Sequence, residues 1–456
     1  MYEIYEPDRL LELVEQKEFR RLKEILAQMN AVDVADFLDE VEPEHLAVVF
    51  RLIHRSAAAD VFSYLEDSEN QKKLIDALSD KELRAVMEEL YLDDAVDIIE
   101  DMPANVVDRI LRNTDPATRR QINELLKYPD DSAGSIMTTE YVALHPDLTV
   151  DEAFARIRKE GVDKETVYTC YVAEHRILQG IVTVRRLLLA EGNAPIRDIM
   201  ERNLICIHTT DDKEEAAQMF ARYGMTALPV VDEEQRLVGI ITVDDAMDVL
   251  EEEITEDFEK MAAILPSDKP YLKTGVVETV GARVPWLMLL MLSATFTGII
   301  LTKFESALAA CVVLTSFIPM LTGTGGNSGS QASVAVIRAM SLDEIEPRDV
   351  LCVVWKEIRV AVLCGICLAA ANFVKMMTVD RWLMRNPEVT AAVALTVSLA
   401  LVGTVLCAKV VGCVLPMGAQ RVGVDPAVMA APFITTVVDA LSLLIYFAIA
   451  VRLLAL

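Results

Sequence analysis

Apolar and polar positions follow different patterns in the two parts of this chain. As far as residue 282, apolar side chains recur at helix or strand spacing among many charged ones. Beyond it lie long apolar stretches, at residues 285–303, 306–339, 350–378, 389–415 and 427–454. About 20 apolar residues are enough for a helix to cross a bilayer. The pattern therefore predicts a soluble region followed by a transmembrane bundle of five helices over residues 283–456.

The first 128 residues have the pattern of an all-helical domain. An apolar stripe begins at Leu10, and a short Asp- and Ala-containing unit then recurs near Asp33, Asp60 and Asp94, followed each time by an acidic turn. Short helical repeats that share an apolar face stack into a superhelix. We therefore predict an acidic N-terminal domain of stacked helices over residues 1–128.

Residues 129–243 contain a tandem repeat that mixes strands with a helix. The first copy has a helix from Val150 to Lys159 with strand-like runs at 141–145, 169–172 and 180–184. The second copy starts near residue 199 and has a helix from Lys213 to Arg222 with runs at 204–208, 227–231 and 239–243. This α+β order resembles a pair of cystathionine-β-synthase (CBS) domains, modules that often sense adenosine nucleotides.

In such modules a Thr or Ser often follows the last strand, with an Asp three residues later that accepts hydrogen bonds from ribose hydroxyls. The second copy has this arrangement as Thr242 and Asp245, and Tyr168 is a third candidate nucleotide contact. The first copy has Thr183, but Arg186 stands where the Asp is expected. The resemblance therefore supports a nucleotide site in the second copy and argues against one in the first.

An acidic helix and linker over residues 244–282 follow the repeat. At helical spacing Asp245, Asp248 and Glu252 share one face, and Glu253, Glu256 and Asp257 share the adjoining one. Like charges at this spacing destabilise a helix. Two interpretations stay open: a solvated acidic helix, or a surface whose acids are bridged to other acids by divalent cations.

The charge of the chain is concentrated in its soluble part. The whole chain has a formal charge of −28, and residues 283–456 carry 12 basic and 10 acidic side chains, which leaves −30 for residues 1–282. Such a surface repels nucleic acid and accumulates cations. The chain starts without a basic segment or an apolar run, so we expect no signal peptide and a cytoplasmic soluble region.

One carboxylate, Asp439, lies in the middle of the last apolar stretch. A charge at that depth costs at least a few kcal/mol unless water, a partner or an ion meets it, so it predicts a pore or a relay. The alternative is an acid paired to a neighbouring helix or held protonated. All five histidines lie in residues 1–282, so the membrane part offers mainly oxygen ligands, which suit Mg²⁺, Ca²⁺ or Mn²⁺.

The second apolar stretch is rich in glycine, with Gly323, Gly325, Gly326 and Gly329. Glycines in a span either break the helix or allow tight helix packing. Irregular backbone at membrane depth is tolerated where it is buried or lines a wet cavity. In that case freed carbonyls, Asn327 and Gln331 would serve as neutral oxygen ligands.

Three strings in this sequence resemble the MgtE family of bacterial magnesium channels. They are Thr324-Gly-Gly-Asn-Ser-Gly-Ser-Gln-Ala-Ser333, Tyr128-Pro-Asp-Asp-Ser-Ala-Gly134, and the segment from Val424-Asp-Pro-Ala through Pro432-Phe-Ile-Thr-Thr-Val-Val-Asp439-Ala-Leu-Ser-Leu-Leu-Ile-Tyr446-Phe. The resemblance also covers the domain order and nearly the whole chain. It implies a homodimer with a pore between the subunits.

The resemblance also implies roles for individual residues. Asp439 of each chain would form the ion site, with Asp425 near the cytoplasmic mouth and Gly325, Gly326, Asn327 and Gln331 lining the pore. Regulatory Mg²⁺ would bind acids of the soluble region, namely Asp93, Asp97, Asp245, Asp248, Glu253, Glu256, Asp257, Asp212 and Glu214. Gly224 stands where the family has a further acid, which predicts a weaker or missing regulatory site.

The predicted function is a magnesium-selective channel rather than an enzyme. It would import Mg²⁺ down its electrochemical gradient through the cell (plasma or inner) membrane and close when cytosolic Mg²⁺ binds the acidic interfaces, with ATP as a candidate modulator. The alternative is a CBS-linked coupled transporter or exporter of divalent cations. Direction of flux, and dependence on Na⁺ or H⁺, distinguish the two.

Overall fold

The computed structural model describes residues 7–65, 67–267, 271–272, 274–342, 344–429 and 431–455. Residues 268–270 and 273 of the predicted linker lie outside this range. The chain divides into two compact units, of which the first ends at Leu250 and the second begins at Glu251. We describe each unit separately.

The first unit opens with ten helices in its described part, as the repeat pattern predicts. They are α1 Pro7–Glu15, α2 Phe19–Leu26, α3 Ala31–Glu40, α4 Pro43–Phe50, α5 Arg55–Ser63, α6 Ser68–Ala77, α7 Asp80–Met87, α8 Leu92–Glu100, α9 Ala104–Asn113 and α10 Pro116–Leu125. Local sequence fixes several of their starts: Ser79 and Glu82 form a capping box at α7, and Asp115 caps α10. Fully buried Leu22, Phe62 and Ile110 belong to the shared core.

The CBS-like region contains two three-stranded sheets of the same topology. Its elements are β1 Ala143–Leu144, α11 Val150–Glu160, β2 Thr169–Glu174, β3 Ile177–Thr183, α12 Val184–Leu189, α13 Ile196–Ile199, β4 Ile207–His208, α14 Lys213–Tyr223, β5 Ala227–Val231 and β6 Leu237–Thr242. In each sheet the first strand pairs parallel with the second, and the second pairs antiparallel with the third. The predicted tandem repeat is therefore confirmed.

Gly224 has a structural reason to be glycine in this chain. It ends α14 with a φ of 62°, in the left-handed region that favours glycine. An acid at this position would strain the end of the helix.

The second unit is helical throughout its described part. Its helices follow α15 Val243–Met261, which contains the boundary between the units, and are α16 Val276–Lys303, α17 Glu305–Ala310, α18 Ile318–Ser341, α19 Val350–Lys375, α20 Ala391–Arg421 and α21 Ala431–Leu454. A π-helix, Met376–Leu383, extends α19. Four described segments are long and apolar enough to cross a membrane: Val276–Lys303, Pro347–Leu383, Ala391–Arg421 and Pro426–Leu454.

The predicted second span, residues 306–339, is not a single helix. It comprises α17, a 3₁₀ segment at Val312–Phe317 and α18. Pro319 lies in the first turn of α18, where a proline begins a helix without interrupting it. The apolar pattern located the segment but did not show this division, because periodicity does not distinguish a buried helix from connected shorter ones.

The glycine-rich stretch of α18 forms an unbroken helix that packs closely on its neighbours. A Cβ at Gly325 would lie 2.7 Å from Cγ2 of Thr404 on α20 and 2.9 Å from Oγ of Ser442 on α21. A Cβ at Gly412 of α20 would overlap the carbonyl oxygen of Gly329. The glycines therefore allow tight helix packing and do not break the helix, which are the two interpretations of this stretch.

Candidate cation sites

Four carboxylates of the first unit form the group that we call the acidic cluster: Asp93, Asp94, Glu165 and Asp245. Asp93 and Asp94 lie in the first turn of α8, and Asp245 lies in the first turn of α15. Glu165 lies just before β2, and its backbone N–H donates to the carbonyl oxygen of Glu140 at 3.0 Å. Glu140 also accepts from the backbone N–H of Leu92 at 3.2 Å, which ties α8 to the first CBS repeat.

The acidic cluster holds protons unusually tightly. Burial, followed by the charges of Asp245 and Glu165, raises the pKa of Asp93 well above its ordinary value. Burial and Asp245 raise the pKa of Asp94 to about 7, and burial and the same carboxylate raise the pKa of Glu165 to about 8. Burial also raises the pKa of Asp245 to about 6, against the lowering effect of its hydrogen bonds from Thr242. The charged neighbours that shift the pKa of Asp93 are all carboxylates.

A cluster of this kind is destabilised by its own charge until protons or cations offset it. Among the described residues, no group of three or more His, Cys, Asp or Glu side chains already has the geometry of a metal site. The cluster is a site of high negative potential, with ligands that suit Mg²⁺.

Sequence reasoning identified Asp93 and Asp245 but missed Asp94 and Glu165. Asp94 lies next to Asp93 and seemed to belong to the helix start alone. Glu165 is far from both in sequence and joins them only through the packing of the first CBS repeat on α8. Tertiary contact was needed to find it.

The other soluble acids in the prediction are placed differently. Asp97 and Asp248 are exposed, one turn after Asp93 and Asp245 respectively. Asp212 is the N-cap of α14 and accepts from the backbone N–H of Glu214 at 2.8 Å. Glu214 accepts from the Gln218 amide at 3.0 Å. Asp212 and Glu214 therefore have a local structural role, and their regulatory role stays a prediction.

The candidate nucleotide residues lie in different repeats. Thr242 ends β6, and its hydroxyl donates to the Asp245 carboxylate at 2.5 Å. Tyr168 is 74% exposed and precedes β2 in the first repeat, where its carbonyl accepts from the backbone N–H of Val184. The Asp245 carboxylate thus takes part in two interactions: it accepts a hydrogen bond from the Thr242 hydroxyl, and it belongs to the acidic cluster.

A second group of acids, in the second unit, already contains a cation. Lys260 Nζ lies 2.6 Å from Glu256 Oε1 and 2.7 Å from Asp425 Oδ2, and we call this group the lysine junction. Burial opposes the charge of Lys260, but the hydrogen bonds from its ammonium to Asp425 and Glu256 outweigh it and raise its pKa. Burial and the charge of Asp425 raise the pKa of neighbouring Asp257. Glu253 is half-buried on the same helix, α15.

Asp439 lies half-buried on α21, between two positions that are packed inside the bundle. Val438 and Ser442 both contact Gly325 of α18. Within the described part of the chain, the Asp439 carboxylate makes no ion pair and accepts no hydrogen bond. One alternative predicted for Asp439 is an ion pair with a neighbouring helix. The described part of a single chain does not contain such a pair.

The predicted pore-lining residues fall on two faces of α18. Gly325 and Gly326 are buried against α20 and α21, with Gly326 beside Thr435. Asn327 and Gln331 are exposed one turn apart on the other face. Of these four residues, Asn327 and Gln331 are the ones whose side chains are exposed on the surface of a single chain. The pore-lining role of all four residues stays a prediction.

A buried ion pair in the membrane part was not anticipated from the sequence. Lys409 Nζ on α20 lies 3.4 Å from Glu357 Oε2 on α19, and their side chains are 7% and 13% exposed. Lys409 is therefore the partner of Glu357, and among the described residues no other cation lies beside Asp439.

The fold and these groups define a class: a membrane protein with a tandem CBS-like repeat and clustered acidic side chains. Family models match three regions, as MgtE intracellular N domain at residues 29–131, CBS domain at residues 133–193 and 196–252, and MgtE, divalent cation transporter, at residues 318–449. The chain belongs to the MgtE family, as its sequence motifs predict.

Curated relatives support the same assignment over the whole chain. The chain is 38% identical to magnesium transporter MgtE of Thermus thermophilus over 97% of each protein. It is 30% identical to magnesium transporter MgtE of Bacillus subtilis, over 97% of this chain and 96% of the relative.

Among solved structures, the cytosolic domain of the Mg²⁺ channel MgtE in complex with ATP is similar to this chain, with a TM-score of 0.51 and 37% identity. The match covers 54% of this chain and 100% of that structure. The soluble part of a magnesium transporter is similar with a TM-score of 0.50 and 28% identity, over 54% of this chain and 97% of that structure.

Proposed function

We propose that this chain forms a magnesium channel that imports Mg²⁺ through a pore between two subunits. The observation that carries the proposal is Asp439, a carboxylate in the middle of an apolar span that finds no partner among the described residues. A charge at that depth needs water or an ion beside it. A second copy of α21 across a two-fold axis would bring two such carboxylates to one point on the axis.

Two carboxylates and a few neutral oxygens suit a hydrated Mg²⁺. Mg²⁺ gives up its water reluctantly, so a pore recognises the ion best with its waters in place. Conduction requires binding that is strong enough to attract the ion and weak enough to release it. Asn327 and Gln331, exposed on α18, would add neutral oxygens to this path.

Downhill flow is sufficient to drive import. A membrane potential of about 100 mV contributes roughly 4.6 kcal/mol for a divalent ion. The chain contains no Gly-Lys-Ser/Thr phosphate-binding loop, which is the motif of many ATP-driven pumps.

Cytosolic Mg²⁺ would close the channel through the soluble acids. The acidic cluster has no basic member and holds its protons tightly, so divalent cations would bind there and bring α8, α15 and the first CBS repeat together. At low Mg²⁺ the carboxylates would repel one another and loosen this part of the protein. ATP is proposed as a modulator because the cytosolic domain of the relative was solved with ATP.

The test of conduction is Mg²⁺ uptake by cells or proteoliposomes with Asp439→Asn. We expect the neutral isostere to lower Mg²⁺ flux by about tenfold or more, because the mid-span negative charge is lost. Glu305→Gln removes an exposed acid from the start of α17 and serves as the control. Unchanged flux in Asp439→Asn would overturn the proposal, and flux that requires Na⁺ or H⁺ would favour a coupled transporter.

The test of gating is limited proteolysis of the full chain from micromolar to tens of millimolar Mg²⁺. We expect cleavage in the soluble region to fall as Mg²⁺ rises. The fall should be reduced in an Asp93→Asn/Asp245→Asn variant, while cleavage independent of Mg²⁺ in the unmodified chain would contradict the gating proposal.

A further inference from the structure

The π-helical end of one candidate membrane span has features that cation transport does not explain. After Lys375, α19 continues as a π-helix over Met376–Leu383, at the end of the candidate span Pro347–Leu383. π-Helices are rare in proteins, and those that occur are often found at functional sites. The loop that follows leads to Thr390, which caps α20.

A cavity of about 690 Å³ opens beside this π-helix. Its lining combines two guanidinium groups, an indole ring and a few smaller side chains, namely Met377, Thr378, Arg381, Trp382, Arg385 and Pro387. A cavity of this size holds a headgroup rather than a single ion.

The two arginines of the cavity have no carboxylate partner among the described residues. Asp380, next to Arg381 in sequence, lies 2.9 Å from Lys375 Nζ instead. Glu388, three residues after Arg385, forms no ion pair within the described part of the chain. Arg381 donates one hydrogen bond, from Nη1 to the carbonyl oxygen of Val389 at 3.3 Å, which fixes its position and leaves its other N–H groups available. Arg385 is held at a φ of 53°, a conformation that non-glycine residues rarely adopt.

The cavity lies at the end of a candidate membrane span. Trp382 is 79% exposed, and Leu383 and Met384 beside it are also largely exposed. Tryptophan is enriched at the level of lipid headgroups, and arginine reaches that level with its charged end. The surroundings of the cavity are therefore apolar on the membrane side and cationic at the surface.

We propose that this cavity binds the phosphate headgroup of an anionic phospholipid. Arg381 and Arg385 donate charge-assisted hydrogen bonds to the phosphate oxygens, for which the planar guanidinium has matching geometry. Trp382 packs against the glycerol and the first part of the acyl chains. A phospholipid fits better than free phosphate because apolar Met377, Trp382 and Pro387 line the same cavity.

The test is lipid binding to the purified full-length protein in detergent, followed by native mass spectrometry. The probes are phosphatidylglycerol, zwitterionic phosphatidylcholine and inorganic phosphate. We expect phosphatidylglycerol to bind with preference, and Arg381→Gln/Arg385→Gln to weaken it by roughly 20-fold, since each basic side chain near a membrane surface contributes a severalfold attraction. The single variant Arg385→Gln keeps the Arg381–Val389 hydrogen bond and should weaken binding by roughly fivefold.

Arg359→Gln is the matched control. Arg359 lies on the same helix, α19, and its guanidinium lies 5.9 Å from the ring centre of Trp355, but neither residue lines the cavity. We expect this variant to bind phosphatidylglycerol as the unmodified chain does. Equal binding of phosphatidylcholine, binding of phosphate in place of lipid, or equal losses in Arg359→Gln would each overturn the proposal. The measurement needs no Mg²⁺ flux, so it stands apart from the proposed channel.

Discussion

The acids of the soluble unit and those of the membrane unit are treated in opposite ways. In the membrane unit, Lys260 lies between Glu256 and Asp425, and Lys409 lies beside Glu357. In the soluble unit, the members of the acidic cluster shift one another's pKa upward, and the charged groups that most raise the pKa of Asp93 are carboxylates. The two groups in the membrane unit contain a lysine, whereas the acidic cluster leaves its charge to be offset from solution. Elsewhere the first unit pairs its acids with arginines, as in Arg51–Glu82 and Arg109–Asp80.

The difference follows from the cost of burying charge. A buried charge in an apolar bundle needs a fixed partner, because water is not available to solvate it. A cluster of carboxylates can remain without a basic partner while protons or dissolved cations compensate its charge. Asp439 lies in the middle of a span and has no such partner among the described residues, and for that reason it carries the proposed function.

The largest effect is expected from breaking the buried pair of the membrane unit. Glu357→Gln leaves the ammonium of Lys409 buried without a counter-charge, which should destabilise the protein by about 3–5 kcal/mol. The measurement is the thermal unfolding midpoint in detergent. The double variant Glu357→Met/Lys409→Met should regain most of the loss, and a single variant as stable as the unmodified chain would contradict the role of the pair.

A smaller effect is expected from removing the cation of the lysine junction. Lys260→Gln should destabilise the C-terminal part of α15 by about 1–2 kcal/mol. The loss is smaller than for the buried pair because Glu256 and Asp425 are partly exposed and solvent screens their charges. Hydrogen exchange of residues 251–261 measures this loss, with Lys303→Gln as the control. Added Mg²⁺ should restore more protection in Lys260→Gln than in the unmodified chain, and no such difference would show that the two units treat their acids alike.

Neutralising a member of the acidic cluster should stabilise the protein, in contrast to the two variants above. Asp93→Asn removes one of several repelling charges, and we expect α8 to gain about 1–2 kcal/mol of stability when Mg²⁺ is absent. Hydrogen exchange of α8 in the full chain gives the measurement. Asp36→Asn, at an exposed position of α3, should change stability by less than about 0.5 kcal/mol. A loss of protection in Asp93→Asn would mean that its carboxylate is stabilising even without a cation.

The smallest effect per residue is the pH dependence of the same cluster. Its carboxyls have a raised pKa in the folded chain, about 6 for Asp245, 7 for Asp94 and 8 for Glu165, so the folded state binds more protons than the unfolded state. Stability should therefore fall as pH rises from about 4 to about 8, by about 1 kcal/mol for each carboxyl once solvent screening is included. Saturating Mg²⁺ should flatten this dependence in hydrogen exchange of α8, and a stability that rises over this range would reject the assignment.

The sequence by itself located most helices and strands and four long apolar helices, but not the division of the predicted second span. Periodicity is a local property, so it located α14, β5 and the four long apolar helices, and the glycine- and proline-containing motifs identified the family. The sequence also singled out Asp439, because a lone carboxylate in an apolar run is visible without any contact.

Only the tertiary structure decided which acids meet and which have cations. Glu165 reaches the acidic cluster through packing between α8 and the first CBS repeat, and Lys409 reaches Glu357 across two helices. It also showed that α18 stays intact through its glycines, because α20 and α21 fill the space that side chains would occupy. These outcomes depend on distances between residues far apart in the chain, and no local pattern of hydrophobic and polar residues encodes such distances.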